Sequence, residues 1–236
     1  MRRAFAGIAV VLLVAALAAG CGSDGSTARA MERLLPRLMG PAQHYETRLS
    51  GTSGSRVESA RVLATRLQAN EHLVLDRVRL ELADLHFNRS RRELLSVGQA
   101  DFSAVLLQED LNAQLHERSS LIRGLKLSIT PEGARLRGSA DLPGVKLPVT
   151  PDFLLEGTLK IDGEGRLILD ASKIRVVGVE VPEFAAKLLA SQVNPLVDLS
   201  SARLPVYLRT VEPDHGELRL TGRARVRTGS YADLDS

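Results

Sequence analysis

The chain of 236 residues has no tryptophan, three tyrosines, five phenylalanines and one cysteine. Bases and sugars are gripped largely by stacking on aromatic faces, so an aromatic content of 3% argues against nucleic-acid and carbohydrate binding. One cysteine excludes an intrachain disulfide framework. The five histidines (His44, His72, His86, His116 and His215) never pair at ligand spacing, and no H-E-x-x-H occurs. Gly-rich phosphate loops are missing too. Neither a metal nor a cofactor is therefore expected. Gly51-Thr52-Ser53-Gly54 lacks the G-x-S-x-G spacing of a nucleophile elbow and reads as a polar loop. Asp84 and His86 share a strand face, a spacing open to a positioned base or to a solvated face. Asp110 with Asn112, and Asp141 near Asp152, make no better constellation, and no catalytic residue is assigned. Lysine is scarce as well, with five (Lys126, Lys146, Lys160, Lys173 and Lys187) against 26 arginines.

What is present begins at the N-terminus. Arg2 and Arg3 precede seventeen uncharged residues, Ala4 to Gly20, and then Cys21. The arginines form a positive n-region, Ile8 to Leu17 an apolar h-region, and Ala18-Ala19-Gly20 the small residues a signal peptidase requires. The arrangement resembles a bacterial lipobox, in which the cysteine receives a diacylglycerol and becomes the mature N-terminus. Ala18 stands where leucine is commoner, with Leu17 one residue earlier. A plain cleaved secretory peptide and an uncleaved anchor remain alternatives, although the run is short of the roughly 20 residues a spanning helix needs. Lipidation at Cys21 would remove the only thiol from redox or catalytic work. Without residues 1–20, 216 residues remain, enough to bury about 70% of the unfolded surface without disulfides. The formal charge of +3 includes Arg2 and Arg3, which leaves a mature part near +1.

Residues 21–27 read as the acylated cysteine and a polar tether, 28–227 as a single domain, and 228–236 as a frayed tail. Ala28 to Met39 has helical apolar spacing and stops near Gly40-Pro41. From Tyr45 the period becomes two. Alternating runs are expected at Tyr45–Ser50, Val57–Leu67, Leu73–Phe87, Leu95–Leu106, Leu125–Ile129, Ala134–Ala140, Phe153–Ile161, Arg166–Ala171, Ile174–Val181, Leu204–Val211 and Glu217–Val226. Turn chemistry at Pro131-Glu132-Gly133, Asp162-Gly163-Glu164-Gly165 and Pro213-Asp214-His215-Gly216 makes several of them antiparallel hairpins. Two helices interrupt the strands. Gln108 to Arg118 carries Leu111 and Leu115 on one stripe behind a weak N-cap, and Glu183 to Val193 stops at Asn194-Pro195. The proline-punctuated stretch Leu142 to Pro151 reads as a sheet-edge crossover, a pocket rim or a segment lying on a membrane.

Leu106-Leu107-Gln108-Glu109-Asp110-Leu111-Asn112 resembles the strand-to-helix segment S/T-E-x-D-L-N of LmeA-like phospholipid-binding proteins, with Gln108 where that family often has a small hydroxyl residue. Leu204-Pro205-Val206-Tyr207-Leu208 through Gly222 resembles the family's closing hairpin. The similar region runs from about Tyr45 to Val226. The resemblance implies an α+β fold: a long, curved, mainly antiparallel sheet wrapped on two or three helices, like tubular lipid-binding modules. It also implies an envelope protein that binds phospholipid, and phospholipase activity has been attributed to the group. The expectation is an extracytoplasmic, lipid-anchored protein whose partners are the membrane and a phospholipid or lipid-linked intermediate, with no nucleic acid. An envelope phospholipase or esterase, and a structural lipoprotein without ligand, are the alternatives. Phe102, Leu106, Leu111, Leu115, Phe184, Leu188 and Leu189 are the candidate lining of an apolar groove, and each fits plain core as well.

Overall fold

The computed structural model describes residues 32, 35–88, 93–118, 122–140, 152–176, 191–226 and 229–230. Cys21, the leader and tether, the Leu142 to Pro151 stretch, and Phe184, Leu188 and Leu189 lie outside them.

The strands follow from the alternation. β1 (His44–Ser53), β2 (Arg56–Gln68), β3 (Val74–Asn88) and β4 (Glu93–Leu107) are followed by helix α1 (Gln108–Arg118). Then come β5 (Ile122–Thr130), β6 (Gly133–Ala140), β7 (Asp152–Ile161), β8 (Leu167–Val176), β9 (Val206–Asp214), β10 (Glu217–Ala224) and β11 (Gly229–Ser230). Along β3, Leu75, Val78, Leu80 and Leu82 are buried while Arg77 and Arg79 are exposed. The runs Arg166–Ala171 and Ile174–Val181 are not separate strands: β8 takes in the first and the beginning of the second. Gly229 and Ser230, expected in a frayed tail, pair with β4 opposite Leu94 and Glu93.

One long sheet was expected, and two are found. A seven-stranded sheet has the order β1-β2-β3-β4-β10-β9, with β11 on β4, and a four-stranded sheet has the order β5-β6-β7-β8. Of the expected helices, helical residues are found at 35–39, at Gln108–Arg118 (α1, eleven residues) and at 191–193, and residues 183–190 lie outside the described ones. No helix among the described residues is long and apolar enough to cross a membrane, which says nothing of strands.

The chain clusters into two compact units: Met1–Ala104 with Leu199–Tyr207 and Thr221–Ser236, and Val105–Asp198 with Leu208–Leu220. In the first, the helical residues 35–39 end where Gly40 N donates to Pro36 O at 3.2 Å. Gly40 has φ +118°, and a Cβ there would fall 2.3 Å from the Gln68 carbonyl oxygen, so only glycine closes this helix end. Leu35, Val57, Val62, Leu73, Leu75 and Leu85 form the centre of this core. In the second unit, Leu111, Leu127, Leu136, Leu155, Leu167 and Leu196 are fully buried. β7 shifts register at Glu156/Gly157, where the chains run so close that a Cβ on Gly157 would meet Asp170 O at 2.2 Å. Truncating a fully buried leucine of either core to alanine costs about 2–5 kcal/mol.

Candidate functional site

The segment Gln108 to Asn112 owes its position to amide side chains rather than to a conventional cap. The Gln108 backbone N–H, an unpaired donor at a helix start, donates to Gly216 O at 2.9 Å. Gly216 N donates in turn to Ile129 O at 3.3 Å. Ile129 N donates back to Gln108 Oε1 at 2.7 Å, which closes a three-residue circuit between α1, the end of β5 and the β9–β10 turn. Glu109 and Asp110 add negative charge to the first turn, where the helix dipole favours it. One turn on, Asn112 Nδ2 donates to Leu127 O at 3.0 Å and Asn112 Oδ1 accepts from Leu127 N at 2.7 Å. The weak N-cap inferred from Gln108 is thus made good by tertiary contact.

This spacing does what a neighbouring strand would do. Residues four apart on a helix face outward together, and 108 and 112 satisfy backbone groups of Ile129 and Leu127, two apart on β5. The far edge of the sheet is closed in the same way. Asn194 Nδ2 donates to Leu169 O at 2.9 Å, and its Oδ1 accepts from Leu169 N at 2.8 Å. Leu167 bridges to Val197 beside it. Asn194 follows helical residues 191–193, so the expected stop at Asn194-Pro195 is where the helix ends. Each edge of β5–β8 thus has one residue, Leu127 or Leu169, whose backbone donor and acceptor are both met by an asparagine side chain, which covers part of what an open edge exposes.

The α1 fastening aims an apolar face inward. Leu111 is fully buried and Leu115 is 3% exposed, and α1 packs on β5. Leu106, at the end of β4, is fully buried in the same unit. Phe102 is buried too, but among the residues of the other unit. Between Leu111 and Leu115 stands Gln114, a residue that sequence patterning passed over. It is 4% exposed, and its Oε1 is buried without a hydrogen-bond partner. Glutamine on a leucine-rich helix face costs about 1–3 kcal/mol when its carbonyl is left unpaired. Thr47 Oγ1 is the other such atom among the described side chains.

The remaining candidates resolve as surface or scaffold. Asp84 is exposed and accepts from Arg56 at 2.5 Å, which holds its carboxyl below the usual range. His86 is exposed beside it, so the pair is part of a charged strand face. Asp152 accepts from the Ser139 hydroxyl at 2.6 Å across β6–β7. Asp162 Oδ1 accepts from the backbone N–H of Arg166 and of Glu164, each at 2.9 Å, and its Oδ2 meets the Arg166 guanidinium at 2.7 Å. The Arg166 amide, with its guanidinium and the Glu164 amide behind it, draws this carboxyl down against the cost of burial. Tyr45 donates to Gly40 O at 2.6 Å, and burial pushes its hydroxyl pKa up, with Arg203 opposing. Among the described residues no three His, Cys, Asp or Glu side chains gather as a metal site.

An internal helix fastened by amides, with a leucine face around one unpaired carbonyl, defines an antiparallel, β-rich protein built on apolar surfaces. Sequence comparison matches residues 53–223 to the LmeA-like phospholipid-binding family, and the chain belongs to that family. No curated protein and no solved structure gave a match.

Proposed function

We propose that this chain is an extracytoplasmic lipoprotein, anchored through Cys21, that holds a phospholipid or lipid-linked intermediate by its acyl chains against the α1 face of the second unit. Membership of a phospholipid-binding family supports a lipid ligand. The observation that carries the location is Gln114 Oε1, a buried acceptor without a donor between Leu111 and Leu115. A glycerol or headgroup hydroxyl supplies such a donor, while Leu106, Leu111 and Leu115 offer hydrocarbon to the chains. About ten methylenes at about 0.8 kcal/mol each retain a lipid against washing.

The test is chemical. The chain from Gly22 onward is purified without detergent, extracted with organic solvent, and the extract examined by mass spectrometry. Phospholipid near one per chain, and displacement of a bound fluorescent fatty acid by added phospholipid, are expected. An empty extract together with no probe binding would remove the proposal. Lipidation is read separately, as a diacylglycerol mass on Cys21 that is lost in Cys21→Ser.

A further inference from the structure

The wet face of the four-stranded sheet carries a surplus of positive charge at its β5–β6 end that no carboxylate of the described residues meets. Register places Lys126 opposite Arg137, Arg137 opposite Leu154, and Leu154 opposite Arg175. Three cations and one half-exposed leucine therefore form a single row across four strands. Arg123 is exposed near the β5 end of this row, opposite Ser139. Glu156, in the next row, meets Arg135 of that row at 3.0 Å and reaches Arg175 of the first row at 3.8 Å, which leaves Lys126 and Arg137 as the unmatched cations of the row. Among the described residues no carboxylate pairs with Arg123, Lys126 or Arg137; of the two acids that flank Leu154 on β7, Asp152 accepts from the Ser139 hydroxyl and Glu156 meets Arg135. Like charges directly opposite in an antiparallel pair oppose folding, so the row calls for a partner outside the molecule.

We propose that this face docks the protein on an anionic phospholipid bilayer. Charge complementarity carries the inference: exposed guanidinium and ammonium groups on neighbouring strands match a surface of phosphates. Leu154 sits between two arginines, so its side chain reaches the interfacial layer while they stay at headgroup level. Nucleic acid is the competing polyanion, but no aromatic side chain stands in the row to stack a base. Docking of this face is separate from ligand retention at α1 and stands whether or not a lipid is bound there.

Lysine reactivity reads the contact in the full chain. The protein is reconstituted on neutral phosphatidylcholine vesicles and on vesicles containing phosphatidylglycerol. Amine acylation is followed by peptide mass spectrometry, with Lys160, which pairs with Asp170 elsewhere on the sheet, as the internal reference. Acylation of Lys126 relative to Lys160 is expected to slow at least about fivefold on anionic vesicles only, the effect of about one cation–headgroup contact. High salt is expected to restore it. In Arg123→Gln/Arg137→Gln the protection is expected to vanish. Equal acylation of wild-type Lys126 on both vesicle types would overturn the proposal, and this comparison needs no variant to fold. Protection by a single-stranded oligonucleotide but not by anionic vesicles would overturn it in favour of nucleic acid. A null result in lipid extraction leaves the acylation result intact, so the two failures are distinguishable.

Discussion

Arg61 on β2 faces Glu81 on β3 and pairs with it at 2.9 Å; Lys126 on β5 faces Arg137 on β6. The two sheets thus treat their wet faces differently. In the first unit Arg48, Arg56, Arg61 and Arg223 each meet a carboxylate on their own or a neighbouring strand. In the second, the charge is left in surplus at the β5–β6 end, while care is taken at the edges, where Asn112 and Asn194 each hold a backbone donor and acceptor. Edges covered in this way are less open to a stray strand. In the second unit the residues that satisfy the edges are thus distinct from those that carry the surplus charge.

The largest break should come at the edges. Asn112→Leu strands the Leu127 N–H and carbonyl, and Asn194→Leu does the same to Leu169; each is expected to cost about 2–4 kcal/mol, measured by urea unfolding. Next in size is Gln114→Leu, which removes an unpaired carbonyl at similar volume. It should stabilise the lipid-free protein by about 1 kcal/mol while lowering the phospholipid recovered on extraction. A loss of both stability and lipid would mean that Gln114 is only scaffold. Smaller still are the wet faces themselves. Arg61→Glu should destabilise and Arg137→Glu stabilise, each by less than about 1 kcal/mol, because exposed charges are screened. Equal signs would dissolve the comparison.

The smallest effect is the pH dependence of the Asp162 turn. Its carboxyl is held below the ordinary value in the folded chain, so its contribution is present above the unfolded carboxylate range and fades as pH falls through the folded value. The difference in urea midpoint between wild type and Asp162→Asn is expected to shrink between about pH 6 and about pH 2. Asp84, held down by Arg56 in the first unit, should behave in the same sense.

Much of the strand content was legible because alternation is local: Val78, Leu80 and Leu82 announce β3 without reference to any partner. The span Gln108 to Arg118 and the stop at Asn194 were legible for the same reason. Partition into two sheets was not, since a strand's sequence carries its faces but not its neighbour across an intervening helix. Gln108 shows the limit most plainly. As a capping residue it ranks poorly, yet its side chain serves Ile129, 21 residues away, which no local rule anticipates. Gln114 was passed over because a single glutamine does not disturb a leucine stripe; only burial of its carbonyl without a partner singles it out. Of the proposed lining, Leu106, Leu111 and Leu115 fall in one unit and Phe102 in the other, a division that strand periodicity does not encode.

Photocrosslinking with a phospholipid that carries a diazirine on its acyl chain reads directly where that acyl chain is held. The account predicts adducts on Leu106, Leu111, Gln114 and Leu115, reduced by unlabelled phospholipid and by Gln114→Leu. Adducts confined to the wet faces of the sheets, with none on residues 106–115, would contradict it.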